Sequence, residues 1–352
     1  MDHVTKIRVL MTGAGAPGAA GIIKCLTQMQ NLHLVVCDAD DQALGKYLYG
    51  NFYQIPKAND PEFIPALRSI CLKENIQVIM PLVTRELFPL SAHKDEFRTI
   101  GVHVLVSDEL VLNIANDKGR LYQHLEQFNI KVPKYKLIQN LEELESALDY
   151  LDYPNKKVCF KPTVSNGSRG FRILDPAIDE YHLLFHEKPN STYMSVAKLK
   201  ELIQQYKFPE LLISEYLPGL EFSVDCLANN GEPIVIVPRS RIKMKEGIST
   251  EGEFIYNKEI ISYCTDIIKS LHLHGNIGIQ VKQSEEGDYK ILEINPRVQG
   301  TIVAGLGAGI NLPALAVKQA LQLPIEEDEL QVIWNTRFIR YWNEVFFLAT
   351  SY

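Results

Sequence analysis

Oxygen-bearing side chains gather at one predicted β-hairpin in the last third of the chain. The strand-like segments NIGIQVKQ and YKILEIN are joined by SEEGD. If the turn centres on Glu286–Gly287, Gln280 lies directly across from Glu293. The two-residue period of a strand then places Glu293, Asn295 and Arg297 on one face.

Hard oxygen donors of this kind suit Mg²⁺, which proteins hold with one or two carboxylates together with the oxygens of a bound phosphate. Arg297 adds a forked donor beside them. The hairpin therefore predicts a magnesium and phosphate site. A surface strand with scattered polar residues is the alternative.

A second candidate for phosphate binding is the segment FKPTVSNGSRGFRIL. Lys161 ends a predicted strand, and the loop that follows contains Gly167, Ser168 and Gly170. Backbone N–H groups of such a loop can wrap a phosphate, because glycine tolerates the required φ values. The loop lacks the Walker spacing, so a plain β-turn explains it as well. Lys118, in NDKGR, is either a further cation of this site or a solvated helix residue.

The N-terminal segment LMTGAGAPGAAGIIKCL has the spacing of a dinucleotide-binding turn. Gly13, Gly15 and Gly18 form G-x-G-x-x-G after an apolar strand, and Asp38 follows twenty residues after the last glycine. In dinucleotide-binding proteins these features hold a pyrophosphate and a ribose. Taken alone, the segment predicts an NAD(P)-linked oxidoreductase.

Composition restricts the class of protein and its partners. The 352 residues are 46% hydrophobic and 22% charged, with a net charge of −7, which predicts a multidomain globular protein and argues against nucleic acid as a partner. No two of the six cysteines have C-x-x-C spacing, and no apolar run reaches about 18 residues. We therefore expect reduced thiols, a cytoplasmic location and no membrane partner.

The pattern of apolar segments changes near residue 132. Residues 7–106 alternate short β-rich runs with helix-like segments such as Pro61–Asn75 and Arg85–Arg98, which predicts a doubly wound parallel α/β domain. The later part has β-rich runs between turns, and alternation in EFSVDCLA predicts an antiparallel strand with one wet face. The polar stretch Glu187–Gln205 is expected to be a surface insertion.

Six motifs in one order resemble those of the ATP-grasp enzymes, and among them the carbamoyl-phosphate-synthase-like carboxylate–amine ligases. The resemblance covers about residues 5–325. Its motifs are NDK at 116–118, FKP at 160–162, NGSRG at 166–170, SEYLPGLEFSVD at 214–225, GIQVK at 278–282 and ILEINPRVQG at 291–300.

The resemblance implies an ATP site. By similarity, Lys118 and Lys161 hold the ATP phosphates, and Ser168 and Gly170 belong to the loop that closes over them. Three further residues would bind the nucleoside. Glu215 and Leu217 would contact adenine, Leu217 through its backbone, and Glu221 would bind the ribose.

The resemblance also assigns the metal ligands and the catalytic residues. Gln280, Glu293 and Asn295 are similar to the family's ligands for Mg²⁺, for which Mn²⁺ could substitute. Arg297 resembles the arginine beside the transferred phosphate, and with Lys161 it would act in catalysis.

Residues for the acceptor substrate are implied less directly. Relatives carry a preceding α/β domain whose glycine-rich turn helps to form the substrate site, so Gly13 and Gly15 would approach a substrate carboxylate or phosphate, with Glu86 as a companion. Arg239 and Arg241 in PRSRIK would add cations on one face, unless they belong to a solvated edge strand.

The implied architecture is α/β and α+β. A pre-ATP-grasp Rossmann-like domain would span 1–107 and an ATP-grasp domain 108–325. The latter would have a small lid subdomain at about 132–213 and a larger subdomain at about 214–325, and a C-terminal segment would span 326–352.

The implied reaction joins a small carboxylate to an amine or ammonia through an acylphosphate, at the expense of ATP. It needs no protein nucleophile. An NAD(P)-linked oxidoreductase and a non-catalytic nucleotide-binding protein are the alternatives. The end IRYWNEVFFLATSY reads as an apolar strand or an interface segment, and as an interface segment it would belong to a homodimer.

Overall fold

A computed structural model describes residues 6–165, 167, 169–187, 192–245 and 247–348. The strands in chain order are β1 (Ile7–Thr12), β2 (Leu32–Asp38), β3 (Phe52–Gln54), β4 (Val78–Met80), β5 (His103–Val104), β6 (Tyr135–Ile138), β7 (Val158–Pro162), β8 (Arg172–Leu174), β9 (Leu211–Glu215), β10 (Glu221–Asn229), β11 (Glu232–Ser240), β12 (Lys243–Lys245), β13 (Ile248–Glu253), β14 (Gly275–Gln283), β15 (Tyr289–Asn295) and β16 (Arg337–Ile339).

The α-helices in chain order are α1 (Ala19–Leu26), α2 (Leu44–Tyr49), α3 (Phe63–Glu74), α4 (Thr84–Ala92), α5 (Lys94–Thr99), α6 (Glu109–Ala115), α7 (Lys118–Gln127), α8 (Leu141–Tyr150), α9 (Glu180–His186), α10 (Val196–Gln205), α11 (Lys258–Leu271) and α12 (Leu312–Ala320). Two 3₁₀ helices span Ile302–Ala308 and Glu327–Leu330.

The chain forms two compact units. The first unit comprises Met1–Asn113, Phe222–Gln280 and Ile294–Tyr352, and the second comprises Ile114–Glu221 and Val281–Glu293. The segments predicted as an N-terminal domain and as the larger ATP-grasp subdomain thus contribute mostly to the first unit.

The parallel α/β sheet predicted for the N-terminal part is present in the first unit. Its strand order is β3-β2-β1-β4-β5, and every adjacent pair is parallel. Val9 and Met11 of β1 face one apolar core, whereas Leu10 faces another. Both faces of the sheet are therefore covered, as in doubly wound folds.

The helix expected over Arg85–Arg98 is two helices, α4 and α5, which meet at His93. Pro89 lies inside α4. Proline lacks an N–H and so cannot donate to the Arg85 carbonyl, yet the helix continues to Ala92, and the His93 N–H donates to the Pro89 carbonyl at its end.

Antiparallel strands form further sheets. One sheet has the order β11-β10-β14-β15, and a smaller sheet has the order β12-β13-β16, with β16 from the C-terminal segment. The expectation that EFSVDCLA has one wet face is wrong, since every residue from Phe222 to Ala228 is buried. The strand lies between β11 and β14, and its Asp225 carboxylate accepts from Arg239.

The second unit is built on the antiparallel sheet β6-β9-β7-β8. Its core includes Leu144 of α8 and Ile213 of β9. The stretch Glu187–Gln205 is not simply a surface insertion, because α10 places Leu199 and Ile203 in this core. These apolar residues are four positions apart on one helix face.

Among the described residues, no single helix is long and apolar enough to cross a membrane. Ile302–Ala308 and Leu312–Ala320 reach that composition only as a pair, and the pair is bent by 102°.

We expect Leu199→Ala to destabilise the second unit by about 2–4 kcal/mol, because the substitution leaves a cavity under α10. Gln204→Ala, on the exposed face of the same helix, should change the free energy of unfolding by less than about 0.5 kcal/mol. Urea unfolding followed by circular dichroism measures both. Equal effects of the two substitutions would contradict the assignment of α10 to the core.

Candidate active site

Lys118 begins α7 and lies in the interior of the second unit. The Asp117 carboxylate caps the helix by accepting N–H groups of its first turn. The Lys118 residue is 5% exposed, and its Nζ donates to the Ser165 carbonyl oxygen at 2.8 Å. It also lies 3.6 Å from Oε2 of Glu293. The predicted phosphate lysine and one predicted metal ligand are therefore neighbours.

Lys161 lies on β7 and is also buried. Its Nζ donates to the Leu292 carbonyl oxygen at 2.8 Å and lies 5.7 Å from the centre of the Tyr122 ring. Loss of solvation, followed by the nearby charge of Lys118, lowers the pKa of Lys161 to about 8. The structure thus brings the two lysines and Glu293 together.

The glycine-containing loop follows β7. Gly167 and Gly170 both have positive φ, 63° and 77°, a conformation that favours glycine. A Cβ on Gly170 would also approach the Pro162 ring to 2.6 Å. Ser168, predicted to belong to the phosphate loop, lies outside the described residues.

The predicted adenine-binding residues follow one another at the end of β9. The Glu215 carboxylate accepts from Lys290 Nζ at 2.8 Å and from the Lys134 backbone N–H at 2.7 Å. Leu217 is buried. Because its carboxylate is already engaged, Glu215 is better placed to meet a base through its backbone than through its side chain.

Glu221, predicted at the ribose, begins β10. Lys282 Nζ lies 3.9 Å from its carboxylate and 5.2 Å from the centre of the Tyr216 ring. The side chains of Glu221 and Lys282 are both largely shielded, so their charges act on each other at reduced screening.

The turn between β14 and β15 differs from the one assumed in the sequence analysis. The Ser284 N–H donates to the Asp288 carbonyl, and the Gly287 N–H donates to the Ser284 carbonyl. These bonds enclose a three-residue loop in which Gly287 has φ of 91°, the usual position for glycine in such hairpins. The two-residue turn that set Gln280 opposite Glu293 is therefore wrong.

The three predicted metal ligands are all half-buried. Gln280 lies on β14, and Glu293 and Asn295 lie two residues apart on β15. Glu293 belongs to the second unit, whereas Gln280 and Asn295 belong to the first.

Arg297, in the first unit, follows β15 directly. Its Nε donates to Oγ1 of Thr84 at 3.1 Å, and its Nη1 donates to the Val298 carbonyl at 2.9 Å. Nη2 lies 3.5 Å from Oδ1 of Asn295. The predicted catalytic arginine is thus attached to the start of α4 in the α/β domain.

Glu86 lies on the same helical turn as Thr84. Its carboxylate is buried and accepts from the Thr12 hydroxyl at 2.5 Å. Burial raises the pKa of Glu86 to about 7, although the Thr12 hydrogen bond opposes the shift. A carboxyl with this pKa can exchange a proton near neutral pH, as substrate-binding and catalytic groups often do.

The N-terminal glycines form a tight turn between β1 and α1. Gly13 has φ of 69°, and a Cβ there would lie 2.6 Å from Cγ2 of Val83. The Gly15 N–H donates to Oδ2 of Asp38 at 2.7 Å. Gly13 therefore permits close contact with the start of α4, while Gly15 is held by a carboxylate of its own domain.

The same contacts argue against a dinucleotide at this turn. Asp38, which would bind the ribose, accepts N–H groups from Gly15 and Asp40 with its two oxygens. A methyl group on Gly18 would overlap the backbone of Gly300. The helix start that would face a pyrophosphate thus faces the chain itself.

Arg239 is not the exposed cation that the sequence analysis considered. It is 0% exposed, and its Nε donates to Oδ2 of Asp225 at 2.6 Å, with Thr301 a further partner. Arg241 lies beyond the end of β11 and donates to the Gly247 carbonyl. The expectation of one shared basic face is wrong, because β10 and β11 pair the Arg239 charge inside the protein.

Several residues complete these clusters without having been predicted from the sequence. They are Tyr122, Lys282 and Lys290 in the second unit and Thr84, Asp225 and Thr301 in the first. Tyr122 could have been found from its helical spacing, since it lies four residues after Lys118. The other residues contact partners that are distant in sequence. No local sequence pattern predicts those contacts.

The described residues thus combine a parallel α/β sheet with antiparallel sheets, and in the second unit two buried lysines lie beside a carboxylate. Family models match two parts of the chain. Residues 207–341 match the family described as ATP-grasp in the biosynthetic pathway with Ter operon, and residues 9–105 match the PylC-like N-terminal domain.

The chain is also similar in sequence to individual proteins. The carbamoyl phosphate synthase large chain of Clostridium acetobutylicum is 24% identical over 235 residues, which are 64% of this chain and 20% of that protein. The formate-dependent phosphoribosylglycinamide formyltransferase of Wolinella succinogenes is 23% identical over 338 residues, 92% of this chain and 79% of that protein. The chain spans about a fifth of the length of the carbamoyl phosphate synthase relatives.

The fold also matches solved structures. The ADP complex of PurK, N5-carboxyaminoimidazole ribonucleotide synthetase, superposes with a TM-score of 0.70 at 16% identity, covering 95% of this chain and 81% of that one. The chain has the ATP-grasp fold, its residues 207–341 resemble an ATP-grasp family, and its residues 9–105 resemble a PylC-like N-terminal domain. The predicted fold class and resemblance are confirmed.

The raised pKa of Glu86 makes folding stability depend on pH. Between the ordinary carboxyl pKa of 4.5 and about 7, the folded protein binds the proton more tightly than the unfolded chain does. Stability from this group is therefore present at low pH and lost as pH rises through 7. Relative to Glu86→Gln, the wild type should lose about 3 kcal/mol between pH 4.5 and pH 8.

Chemical unfolding of both proteins at a series of pH values measures this difference. The comparison cancels the titration of groups that the two proteins share. A difference that is constant with pH would show that Glu86 ionises normally in the folded protein.

Proposed function

We propose that this protein is an ATP- and Mg²⁺-dependent ligase. It activates a small carboxylate as an acylphosphate and joins it to an amine or ammonia, with release of ADP and phosphate. The observation that carries the proposal is the pair of buried lysines, Lys118 and Lys161, beside Glu293 in the second unit.

The lysine pair is suited to a polyphosphate. Both ammonium groups donate to backbone carbonyls, those of Ser165 and Leu292. Because the two cations repel each other, each makes it less favourable for the other to be buried in its charged form. An anion with several oxygens relieves that repulsion and replaces neutral acceptors with charged ones. The PurK relative was solved with ADP, which supports a nucleotide as the anion.

In the first step, a carboxylate oxygen of the substrate forms a bond to the γ-phosphorus of ATP. The bond from that phosphorus to the bridging oxygen breaks, and its electron pair leaves with ADP. Lys161 and Lys118 offset charge on the phosphate oxygens, and we assign Arg297 to the transferred phosphoryl group.

In the second step, the nitrogen lone pair of the amine forms a C–N bond to the acyl carbon. The bond from that carbon to the phosphate oxygen breaks, and inorganic phosphate leaves. The nitrogen loses a proton, which the Glu86 carboxylate can accept because its pKa is about 7.

The proposed magnesium ligands fit that ion by chemistry. Gln280, Glu293 and Asn295 offer amide and carboxylate oxygens, and each side chain is only half-buried, which suits Mg²⁺ shared with phosphate. Magnesium, when bound, offsets the negative charge of the phosphates.

We assign the acceptor substrate to the turn formed by Gly13 and Gly15, close to Glu86. The sequence allowed either a carboxylate or a phosphate there. The buried carboxyl of Glu86 favours a cationic or neutral amine instead, because an anion beside it would be repelled whenever Glu86 is ionised.

The remaining proposals concern location and assembly. All six cysteines, each within the described residues, are free thiols, which supports a cytoplasmic location. Small-molecule carboxylate and amine substrates, without nucleic acid or membrane, remain the proposed partners. The C-terminal segment exposes Tyr341, Trp342 and Phe346, and its role in a homodimer remains a prediction.

The ligase proposal is tested by ADP and phosphate release from Mg-ATP, across a panel of amino acids, other small carboxylates and ammonia. We expect release that requires one acid and amine pair. Glu293→Gln should lower the rate on the order of 100-fold, because it removes the carboxylate beside the phosphates. Glu285→Gln, exposed in the turn of the same hairpin, is the matched control.

Hydroxylamine added to the acid alone should trap the acylphosphate as a hydroxamate. ATP binding without release for any pair would contradict the ligase and favour a non-catalytic nucleotide-binding protein. Binding of NAD(P) in place of ATP would favour the oxidoreductase.

Lys161→Met should weaken ATP binding by about 10- to 100-fold, the effect of losing a charged donor to phosphate. Lys156→Met, an exposed lysine before the same strand, should leave the Kd unchanged within about twofold. Calorimetric titration with ATP and Mg²⁺ at pH 7, where Lys161 is still largely protonated, gives both constants. Equal Kd values for the two variants would remove Lys161 from the nucleotide site.

A further inference from the structure

We infer that Thr84 is a positioning residue that orients Arg297 for phosphoryl transfer, an inference that rests on the proposed function. Arg297 Nε donates to Oγ1 of Thr84 at 3.1 Å, across 213 residues of sequence. Thr84 belongs to the α/β domain, which the proposed function otherwise uses only for the acceptor substrate.

All three guanidinium nitrogens of Arg297 have an acceptor. Nε bonds to Thr84, Nη1 bonds to the Val298 carbonyl at 2.9 Å, and Nη2 lies 3.5 Å from Oδ1 of Asn295. The Val298 and Asn295 acceptors are local, one and two residues away in sequence. The Thr84 hydroxyl is the acceptor from the α/β domain, and because a guanidinium is rigid and its donors lie in one plane, the Thr84 bond fixes that plane relative to the domain.

Thr84 is itself firmly placed. It begins α4, and the residue before it, Val83, is packed against the tight turn at Gly13. Two residues later, Glu86 accepts from Thr12 at the end of β1. The acceptor for Arg297 is therefore attached to the central strand of the parallel sheet, which makes it a rigid support.

The Thr84 hydroxyl has no competing role at the helix start. A threonine near a helix N-terminus commonly caps the first turn with its side chain. Here the N-cap is Val83, whose side chain makes no capping hydrogen bond. The contact between the hydroxyl and Arg297 is thus the hydrogen bond that accounts for a polar β-branched residue at this position.

The loop that carries Arg297 makes a second contact with the same domain. Gly300, three residues later, packs against Gly18 at the start of α1 so closely that neither position has room for a side chain without displacement. The Gly18 contact sets the position of the loop, and the Thr84 bond sets the direction of the arginine within it.

The test compares Thr84→Val with Thr84→Ser. Valine keeps the branched shape and loses the hydroxyl, whereas serine keeps the hydroxyl. We expect valine to lower kcat about 10- to 100-fold, as for loss of one hydrogen bond to a charged group, with the KM for ATP changed less than about twofold. Serine should retain kcat within about threefold.

Equal losses in the two variants would overturn the inference, since both would then reflect packing at the helix start. A valine variant with wild-type kcat would overturn it as well. A parallel rise in the KM for ATP would assign the effect to nucleotide binding instead.

A second measurement does not depend on turnover. The Nε–H resonance of Arg297, assigned by its absence in Arg297→Lys, should be protected from solvent exchange in the wild type and in Thr84→Ser, and should lose that protection in Thr84→Val. An unchanged resonance in Thr84→Val would disprove the hydrogen bond. If no substrate pair is turned over, the ligase proposal fails while the resonance still decides the role of Thr84.

Discussion

Lys118 and Lys161 bring two positive charges into the interior of one unit, and much of the candidate site depends on this constraint. Burying a cation is costly unless hydrogen-bond acceptors or opposite charges compensate. The compensation comes from the carbonyls of Ser165 and Leu292 and from Glu293. The hydrogen bond to Leu292 draws β15 to β7, so the strand that carries Glu293 is positioned by the lysine that would bind phosphate.

The glycines of the N-terminal turn serve backbone packing. Gly13 allows contact with Val83, and Gly18 allows contact with Gly300. Glycine is needed in a dinucleotide turn for the same physical reason, a close approach of backbone to another group. The pattern G-x-G-x-x-G therefore indicates that another group approaches the backbone closely. It does not indicate whether that group is a ligand or another part of the chain.

Much of the fold could be predicted from the sequence, because its signals are local. Alternating β-rich and helical segments specified the parallel sheet, and an Asx cap marked the start of α7 at Asp117. The failures have a common cause. Alternation in β10 indicated a wet face, but Asp225 is compensated by Arg239 from the next strand. A polar residue in a strand is expected to face water unless a buried partner is known. That partner is known only from the tertiary structure.

For the candidate site as well, the sequence predicted some features and not others. Motifs such as NPR and FKP specify which residue types are present, and those types were sufficient to indicate phosphate chemistry. Orientation comes from contacts between distant segments, as between Arg297 and Thr84. A guanidinium is useful to a transferred phosphoryl group only when its donors point at the position that the charge will occupy. The motif therefore specifies that an arginine is present, whereas the orientation of its guanidinium depends on the hydrogen bond to Thr84 of the α/β domain.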